Sequence, residues 1–142
     1  MYICLMSYWL VKSEPFVYSF EKLQKEGKGE WDGVRNYQAR NNLRAMKCGD
    51  LAFFYHSNEG LEIVGIVEIS KEAYPDPTFD GDRWSAIEVV PYKALKKAIS
   101  LEEIKRTPGL ENMVLVKNTR LSVQPVTNSE WNIIIEMSET EI

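Results

Sequence analysis

The stretch WDGVRNYQARNNLRAMKCGD, at positions 31–50, concentrates aromatic, amide and guanidinium groups. Guanidinium groups bind phosphate, amides donate to and accept from the edge of a base, and aromatic rings stack on its face. Between Trp31 and Lys47, four cations stand against one carboxylate, so this window carries +3 and the other 125 residues carry −7. The asymmetry indicates a local site for an anionic partner in an otherwise acidic chain.

Residues in and around this stretch are candidates for a base-binding pocket and for its approach. Trp31, in a glycine-flanked loop, and Tyr55, at the end of a strand, are placed to stack on a base. The amides of Asn36 and Gln38 and the Ser13 hydroxyl suit its polar edge. The predicted pocket residues are Ser13, Trp31, Val34, Arg35, Asn36, Tyr37, Tyr55, His56, Ser57 and Trp84. The predicted phosphate contacts are Lys12, Arg40, Arg44 and Lys47.

The aromatic and amide candidates also have purely structural explanations. Trp31 taken alone is more typical of a core or loop anchor than of a base platform. Asn36 suits a helix N-cap as well as a pocket, and Ser13, just before Glu14-Pro15, suits a turn. Trp84 fits a pocket wall and the start of a strand alike, so these alternatives stay open.

The basic candidates divide into two kinds. Arg40, Arg44 and Lys47 recur along one edge of a predicted helix, and such spacing is most often the solvated face of an amphipathic helix. Arg35 lies before that helix, and its planar fork suits bidentate contacts. Arg35 therefore has the better claim to a ligand or to a buried carboxylate partner.

Catalytic and metal sites have little support in the sequence. The two cysteines lack the paired spacing of a zinc site and a single histidine cannot complete one, so no metal and no cofactor are expected. His56 and Ser57 are strand neighbours that point to opposite faces, so they cannot act as base and nucleophile together. Two weaker alternatives remain: a module that binds a peptide or a metabolite, and a small-molecule enzyme using Glu14, His56 or Asp32 as acid or base.

Size and charge limit the class of protein. A chain of 142 residues with 44% hydrophobic content can bury the core of one domain, and a net charge of −4 argues against wrapping duplex nucleic acid along the whole surface. The segment MYICLMSYWLVK has no basic region before its apolar residues, and Lys12 interrupts the apolar run, so neither a signal peptide nor a membrane span is expected. We expect a cytoplasmic monomer that starts at Met1 or Met6.

The elements of the first third position the candidates. YWLVK predicts a strand that Glu14-Pro15 stops. Ser19 predicts the cap of a short helix that ends at Gly27, and residues 29–35 read as a loop. Residues 36–47 predict a second helix, because apolar side chains recur there at helical spacing, at Ala39, Leu43 and Met46.

The remainder of the chain predicts strands and two further helices. LAFFYHS, EIVGIVEIS and WSAIEVVPY read as strands, separated by a turn at Asn58 to Gly60 and by the loop YPDPTFDGDRW. Ser100 with Glu103, and Thr127 with Glu130, predict capping boxes, and TRLSVQPV reads as a strand between the two helices. We therefore predict a single α+β domain over residues 1–142, with a core of about 7–137, a mixed, curled sheet or small β-barrel, flanking short helices and a frayed tail at 138–142.

The segments YWLVKSEP, WDGVRNYQARNNLRAMKCGDLAFFYHSN, IVGIVEI and RLSVQPV resemble the EVE domain family, from Tyr8 to about Ile135. This family belongs to the PUA-like fold group and is related to the YTH readers of methylated adenine. The resemblance implies a PUA-like barrel with a non-catalytic pocket for a modified base of DNA or RNA, single-stranded or with the base flipped out. Extruding a base costs a few kcal/mol, and aromatic stacking returns about 1 to 3 kcal/mol.

Overall fold

The computed structural model describes residues 7–57 and 60–141, so Cys4, the alternative start at Met6 and the predicted turn residue Asn58 lie outside the described residues. The described part forms one sheet with short helices on both faces. Its elements are β1 (Tyr8–Ser13), α1 (Phe20–Glu26), β2 (Gly29–Trp31), α2 (Tyr37–Ala45), β3 (Leu51–His56), β4 (Glu62–Pro75), β5 (Ser85–Ser100), α3 (Leu101–Lys105), α4 (Val114–Lys117), β6 (Val123–Val126) and α5 (Asn128–Met137).

The sheet is mixed and curled. Its strand order is β2-β5-β4-β3-β1-β6, with β1 parallel to β3 and the other neighbours antiparallel. Helix α2 contacts β4, β5 and β6. In a flat sheet β5 and β6 would lie about 19 Å apart, but a helix with its side chains is only about 10–12 Å wide. The sheet therefore curls around α2, and the predicted α+β class with a curled mixed sheet is confirmed.

Hydrophobic side chains form two cores, one on each face of the sheet. The first core lies under α1 and α2 and includes Trp9, Trp31, Leu43, Phe54 and Ile87. The second core lies under α3, α4 and α5 and includes Phe53, Tyr55, Ile99, Leu115 and Trp131. Because successive side chains of a strand point to opposite faces, β3 contributes Phe54 to the first core and Tyr55 to the second.

The helix boundaries follow local signals. The Ser19 side chain accepts a hydrogen bond from the Lys22 amide, and Gly27 ends α1 with φ of +81°. Both predicted capping boxes are present, at the starts of α3 and α5. Helix α2 is shorter than the predicted 36–47, because Met46 is already extended.

Long-range pairing changes the elements that local patterns predict. Residues Gly29–Trp31 were expected in a loop, but they form β2, in which Trp31 pairs with Ile87 of β5. Strands β4 and β5 are 14 and 16 residues long, which is longer than their predicted segments, and α4 was not predicted. Strand β2 is held by a partner far along the chain, and β4 and β5 lengthen each other by pairing on both sides of their loop; periodicity reveals neither pairing.

Residues 138–141 pack on β5. Ser138 is 0% exposed and Thr140 is 9% exposed. The Thr140 hydroxyl accepts a hydrogen bond from the Lys96 amide at 2.9 Å, and the Ser138 carbonyl accepts one from the Lys97 amide at 3.1 Å. Over residues 138–141 the structure thus differs from the predicted frayed tail, because the Thr140 hydroxyl and the Ser138 carbonyl accept hydrogen bonds from backbone amides of β5.

Candidate binding cleft

A cleft of about 590 Å³ opens where β1 ends beside β2 and the segment leading to α2. Its volume lies in the range of small-molecule and cofactor sites. The residues that line it are Lys12, Ser13, Glu14, Val17, Tyr18, Glu30, Trp31, Asp32, Gly33, Val34, Arg35 and Ser122. The cleft therefore draws mainly on two loops, the turn after β1 and the segment after β2.

Trp31 belongs both to the cleft and to the first core. It is 8% exposed, and its ring meets Tyr18 and Phe54 edge to face, with ring centroids 6.3 and 5.4 Å away. A Cβ atom at Gly29 would lie 2.5 Å from the Tyr18 hydroxyl oxygen, so the missing side chain lets Tyr18 lie against β2. Replacing Trp31 by alanine would cost about 3–5 kcal/mol of stability.

The turn after β1 is fixed by hydrogen bonds. The Ser13 hydroxyl donates to the Tyr18 carbonyl, and the Glu14 carbonyl accepts from the amides of Val17 and Tyr18 at 2.9 and 2.8 Å. Ser13 thus satisfies a turn, as its structural explanation proposed, while it also lines the cleft. A hydroxyl that has donated its proton keeps its capacity to accept.

Three carboxyl groups line the cleft, on Glu14, Glu30 and Asp32. The Tyr74 hydroxyl donates to Glu30 at 2.7 Å. Burial raises the pKa of Asp32, and the nearby carboxylates of Asp76 and Glu30 raise it further. Carboxylates accept hydrogen bonds from exocyclic amino groups such as that of cytosine, so this wall suits a base edge that carries donors.

Arg35 has the buried carboxylate partner that its fork suggested. Its Nη1 lies 3.0 Å from Oδ2 of Asp76, which is 1% exposed, and its Nη2 donates to Thr78 at 2.9 Å. Asp76 also accepts from the amides of Gly33 and Thr78, at 2.8 and 2.7 Å. Burial alone would raise the pKa of Asp76, but the hydrogen bonds from Thr78, Arg35 and Gly33 outweigh it and lower the pKa to about 2.

A cluster of aromatic and guanidinium groups stands beside the cleft. Tyr37 and Trp84 stack with ring centroids 4.9 Å apart, and Phe79 meets Trp84 edge to face. The guanidinium carbons of Arg35 and Arg40 lie 5.6 and 6.0 Å from the Trp84 ring centre. Tyr37 and Trp84 therefore brace the loop between β4 and β5, and they do not line the cleft.

The predicted phosphate contacts already hold parts of the protein. Arg40 donates to the Arg83 carbonyl at 3.0 Å, and Arg44 donates to the Ser85 hydroxyl at 2.9 Å and to the Asp82 carbonyl at 3.0 Å. The Lys12 ammonium donates to the Thr119 carbonyl at 2.7 Å, and burial lowers the pKa of Lys12. Lys47 is exposed and does not line the cleft.

Four predicted pocket residues lie elsewhere. The Asn36 side chain caps α2 by accepting from the Ala39 amide at 2.9 Å. Nε2 of His56 accepts from the Phe20 amide at 3.2 Å, so this histidine supports the start of α1. Tyr55 and Ser57 line a different cavity, of about 330 Å³, next to the second core. The cleft brings together only Ser13, Trp31, Val34 and Arg35 of the predicted pocket, with Lys12 from the predicted phosphate contacts.

Several residues of the cleft lie outside the pocket that the sequence predicts. These residues are Glu14, Val17, Tyr18, Glu30, Asp32, Gly33 and Ser122. Glu14 could have been predicted from the sequence, because it follows Ser13 directly and so lies at the same end of β1. No local pattern indicates Ser122, since it reaches the cleft through the pairing of β6 with β1.

No helix in residues 7–57 and 60–141 is long and apolar enough to cross a membrane. Within the same residues, no group of three or more histidine, cysteine, aspartate or glutamate side chains could hold a metal ion.

Comparisons with known proteins agree on one family. The EVE domain model matches residues 7–137. Mouse thymocyte nuclear protein 1 is 43% identical, over 96% of this chain and 76% of its own length. A crystal structure of an Agrobacterium tumefaciens protein is 49% identical with a TM-score of 0.90, covering 93% of this chain and 92% of that one.

Two solved complexes carry modified bases. Human THYN1 protein, solved in complex with DNA that contains 5-methylcytosine, is 39% identical with a TM-score of 0.87, covering 96% of this chain and 99% of that one. A YTH domain from Zygosaccharomyces rouxii, solved with N6-methyladenosine RNA, has a TM-score of 0.58 at 17% identity, over 99% of this chain and 91% of that one. The second similarity shows the shared fold, in agreement with the expected PUA-like architecture.

Proposed function

Because the chain belongs to the EVE domain family, we propose that it is a non-catalytic module that binds a modified nucleobase of DNA or RNA in the cleft between the turn after β1 and the segment after β2. The observation that carries this proposal is the lining of the cleft. Aromatic surface from Tyr18 and Trp31 lies there beside carboxyl groups and two cations. The human THYN1 complex with 5-methylcytosine DNA supports it.

The chemistry of the lining fits a base. Aromatic rings offer stacking surface, and Glu14, Glu30 and Asp32 offer acceptors to an amino group on the base edge. Lys12 and Arg35 border the same cleft and supply positive charge near the backbone of the nucleic acid. Because Asp76 and Thr78 hold Arg35 in place, its position is set before the ligand arrives.

The concave shape of the cleft limits the form of the nucleic acid that can bind. A base enters such a cleft only after leaving its stack, so the partner is single-stranded or has a flipped base. We propose that the binding unit is a monomer. We propose the cytoplasm as its location.

Two alternative functions involve the same cleft. An enzyme would use Glu14 or Asp32, and the raised pKa of Asp32 in a cleft is the feature that favours it. His56 is a poorer acid or base, since its Nε2 is occupied by the Phe20 amide. A peptide or a metabolite with donor groups is the other candidate ligand.

The proposal is tested by fluorescence anisotropy with labelled single-stranded oligonucleotides that carry one 5-methylcytosine, one N6-methyladenine or the plain base, in DNA and in RNA. We expect one modified base to bind at least about tenfold more tightly than its plain counterpart. Asp32→Asn should weaken this binding by about tenfold, because a carboxylate contact to a base edge contributes on that scale.

The matched control is Asp80→Asn, which neutralises an exposed aspartate of the β4–β5 loop that does not line the cleft. It should bind like the unchanged protein. Equal affinity for modified and plain oligonucleotides at low salt would overturn the proposal. Turnover of a nucleotide that Asp32→Asn abolishes would favour the enzyme instead.

A further inference from the structure

Two neighbouring apolar side chains stand out from the surface beside the cleft. Phe16 is 84% exposed and Val17 is 68% exposed, which makes them the most exposed large hydrophobic residues of the part of the chain that the structure describes. A single exposed apolar residue is ordinary on a protein surface. The position of this pair beside the cleft and its rigid backbone indicate a contact with a ligand.

The pair sits on a constrained turn. The Val17 and Tyr18 amides both donate to the Glu14 carbonyl, and the Ser13 hydroxyl donates to the Tyr18 carbonyl. Strand β1 ends at Ser13 and helix α1 begins at Phe20, so both ends of the turn are anchored. The backbone of the turn is therefore fixed before binding, and a contact at Phe16 costs ordering entropy of its side chain only.

The same turn forms part of the cleft. Ser13, Glu14, Val17 and Tyr18 all line it, and Phe16 lies between two of them in the chain. Phe16 itself does not line the cleft but precedes Val17, which does, so we place it at the rim of the cleft. A nucleic acid that places one base in the cleft brings its neighbouring bases to this rim.

We propose that Phe16 is a wedge that enters the base stack of a duplex and fills the gap left by the base in the cleft, with Val17 packed at the edge of that gap. This inference rests on the proposed function and adds a partner form to it, a double-stranded nucleic acid from which the modified base is flipped. Apolar side chains that insert between base steps are a general means of offsetting the cost of unstacking.

Phe16 contributes to binding only where a flipped base leaves a gap in a base stack. A single strand has no partner strand to hold the stack open around the missing base, so Phe16 contributes little to its binding. The inference therefore predicts an effect on duplex binding that is absent for the single strand. A general loss of apolar surface would not produce that difference.

The experiment compares Phe16→Ala with the unchanged protein on two ligands, a single strand that carries the preferred modified base and the same strand annealed to its complement. A 2-aminopurine next to the modified base in the same strand, paired with thymine or uracil in the complement, reports whether the modified base has left the stack. Phe16→Ala should bind the duplex about tenfold more weakly or worse, since one aromatic–base stack accounts for such a factor. It should also reduce the 2-aminopurine signal, and it should bind the single strand within about twofold of the unchanged protein.

Two further variants complete the design. Tyr92→Ala removes another exposed aromatic ring, 46% exposed on β5 and outside the cleft lining, and should leave binding to both ligands unchanged. Phe16→Leu retains an apolar side chain and should restore most of the duplex affinity. Because Phe16 is so exposed, neither Phe16 variant should affect folding.

The outcomes separate the two proposals. If the unchanged protein prefers a modified base and Phe16→Ala binds the duplex equally well, the wedge is overturned and the base-binding function stands. The wedge is likewise overturned if Phe16→Ala weakens the two ligands by the same factor. If the unchanged protein prefers no modified base in either ligand, the proposed function fails and the wedge fails with it.

Discussion

His56 shows how one side chain can look functional and act in folding. It is the single histidine of the sequence, and its Nε2 accepts the amide of Phe20, the residue that begins α1. A nitrogen that accepts a hydrogen bond is unprotonated. Burial lowers the pKa of His56, and the charge of Glu62 offsets part of that effect. The start of α1 therefore depends on a neutral imidazole.

We expect the imidazole to titrate below its ordinary pKa of about 6.5. As the pH falls past about 6.5, His56 of the unfolded chain takes up a proton before His56 of the folded protein does. The stability that His56 contributes above about pH 6.5 is therefore lost as the pH falls through the pKa of the folded state. Nuclear magnetic resonance of the single imidazole measures the pKa directly. Urea unfolding at about pH 7.5 and pH 5 should show a larger loss for the unchanged protein than for His56→Gln. A midpoint at or above 6.5 would contradict this explanation.

At the scale of elements, Asp76 joins two loops that form no secondary structure together. Its carboxylate accepts from Gly33 and Arg35 after β2 and from Thr78 in the β4–β5 loop. Removing one partner of a buried ion pair leaves the other unpaired, which costs about 3–5 kcal/mol for a fully buried pair. The Arg35 side chain is 38% exposed, so solvent screens part of this loss.

We expect Asp76→Asn to lower the free energy of unfolding by about 2 kcal/mol and to weaken ligand binding, because Arg35 loses its fixed position. Urea unfolding measures the first effect, and anisotropy with the preferred oligonucleotide measures the second. Asp80→Asn, in the same loop, is the control and should change neither. The contribution of Asp76 is present above an unfolded-state pKa of about 4 and should disappear as the pH falls through about 2. If Asp76→Asn matches the control, the loops are held by other contacts.

Local chemistry explains which elements the sequence predicted. Ser19, Gly27 and the two capping boxes act within four residues of themselves, so the helix starts could be recognised without knowledge of the fold. Strand β2 and the pairing of Arg35 with Asp76 depend on contacts between distant parts of the chain. The part of the cleft lining that was predicted, around Ser13, Trp31 and Arg35, lies in short motifs. The carboxylate wall and Tyr18 required the curled sheet.

At the scale of the whole molecule, the distribution of charge makes non-specific binding to nucleic acid weak. The chain carries −4 overall, and Arg40, Arg44 and Lys12 are already engaged with carbonyl groups of the protein. Three of the four cations predicted to contact phosphate would therefore have to leave a protein partner before they could bind a nucleic acid. Affinity must therefore come mostly from the cleft, whose contacts with a base edge and face carry no net counterion release.

This distribution predicts how affinity changes with salt. A methyl group adds no charge, so modified and plain oligonucleotides should lose affinity in parallel as salt rises, and their ratio should stay constant. If two or three cations contact phosphates of a single strand, the slope of log affinity against log salt should be about −1.4 to −2.1. Anisotropy titrations between about 50 and 200 mM salt measure both slopes. A ratio that collapses toward one at the higher salt would mean that the preference arises from the charged surface and not from the cleft, because only a charge-dependent preference is screened.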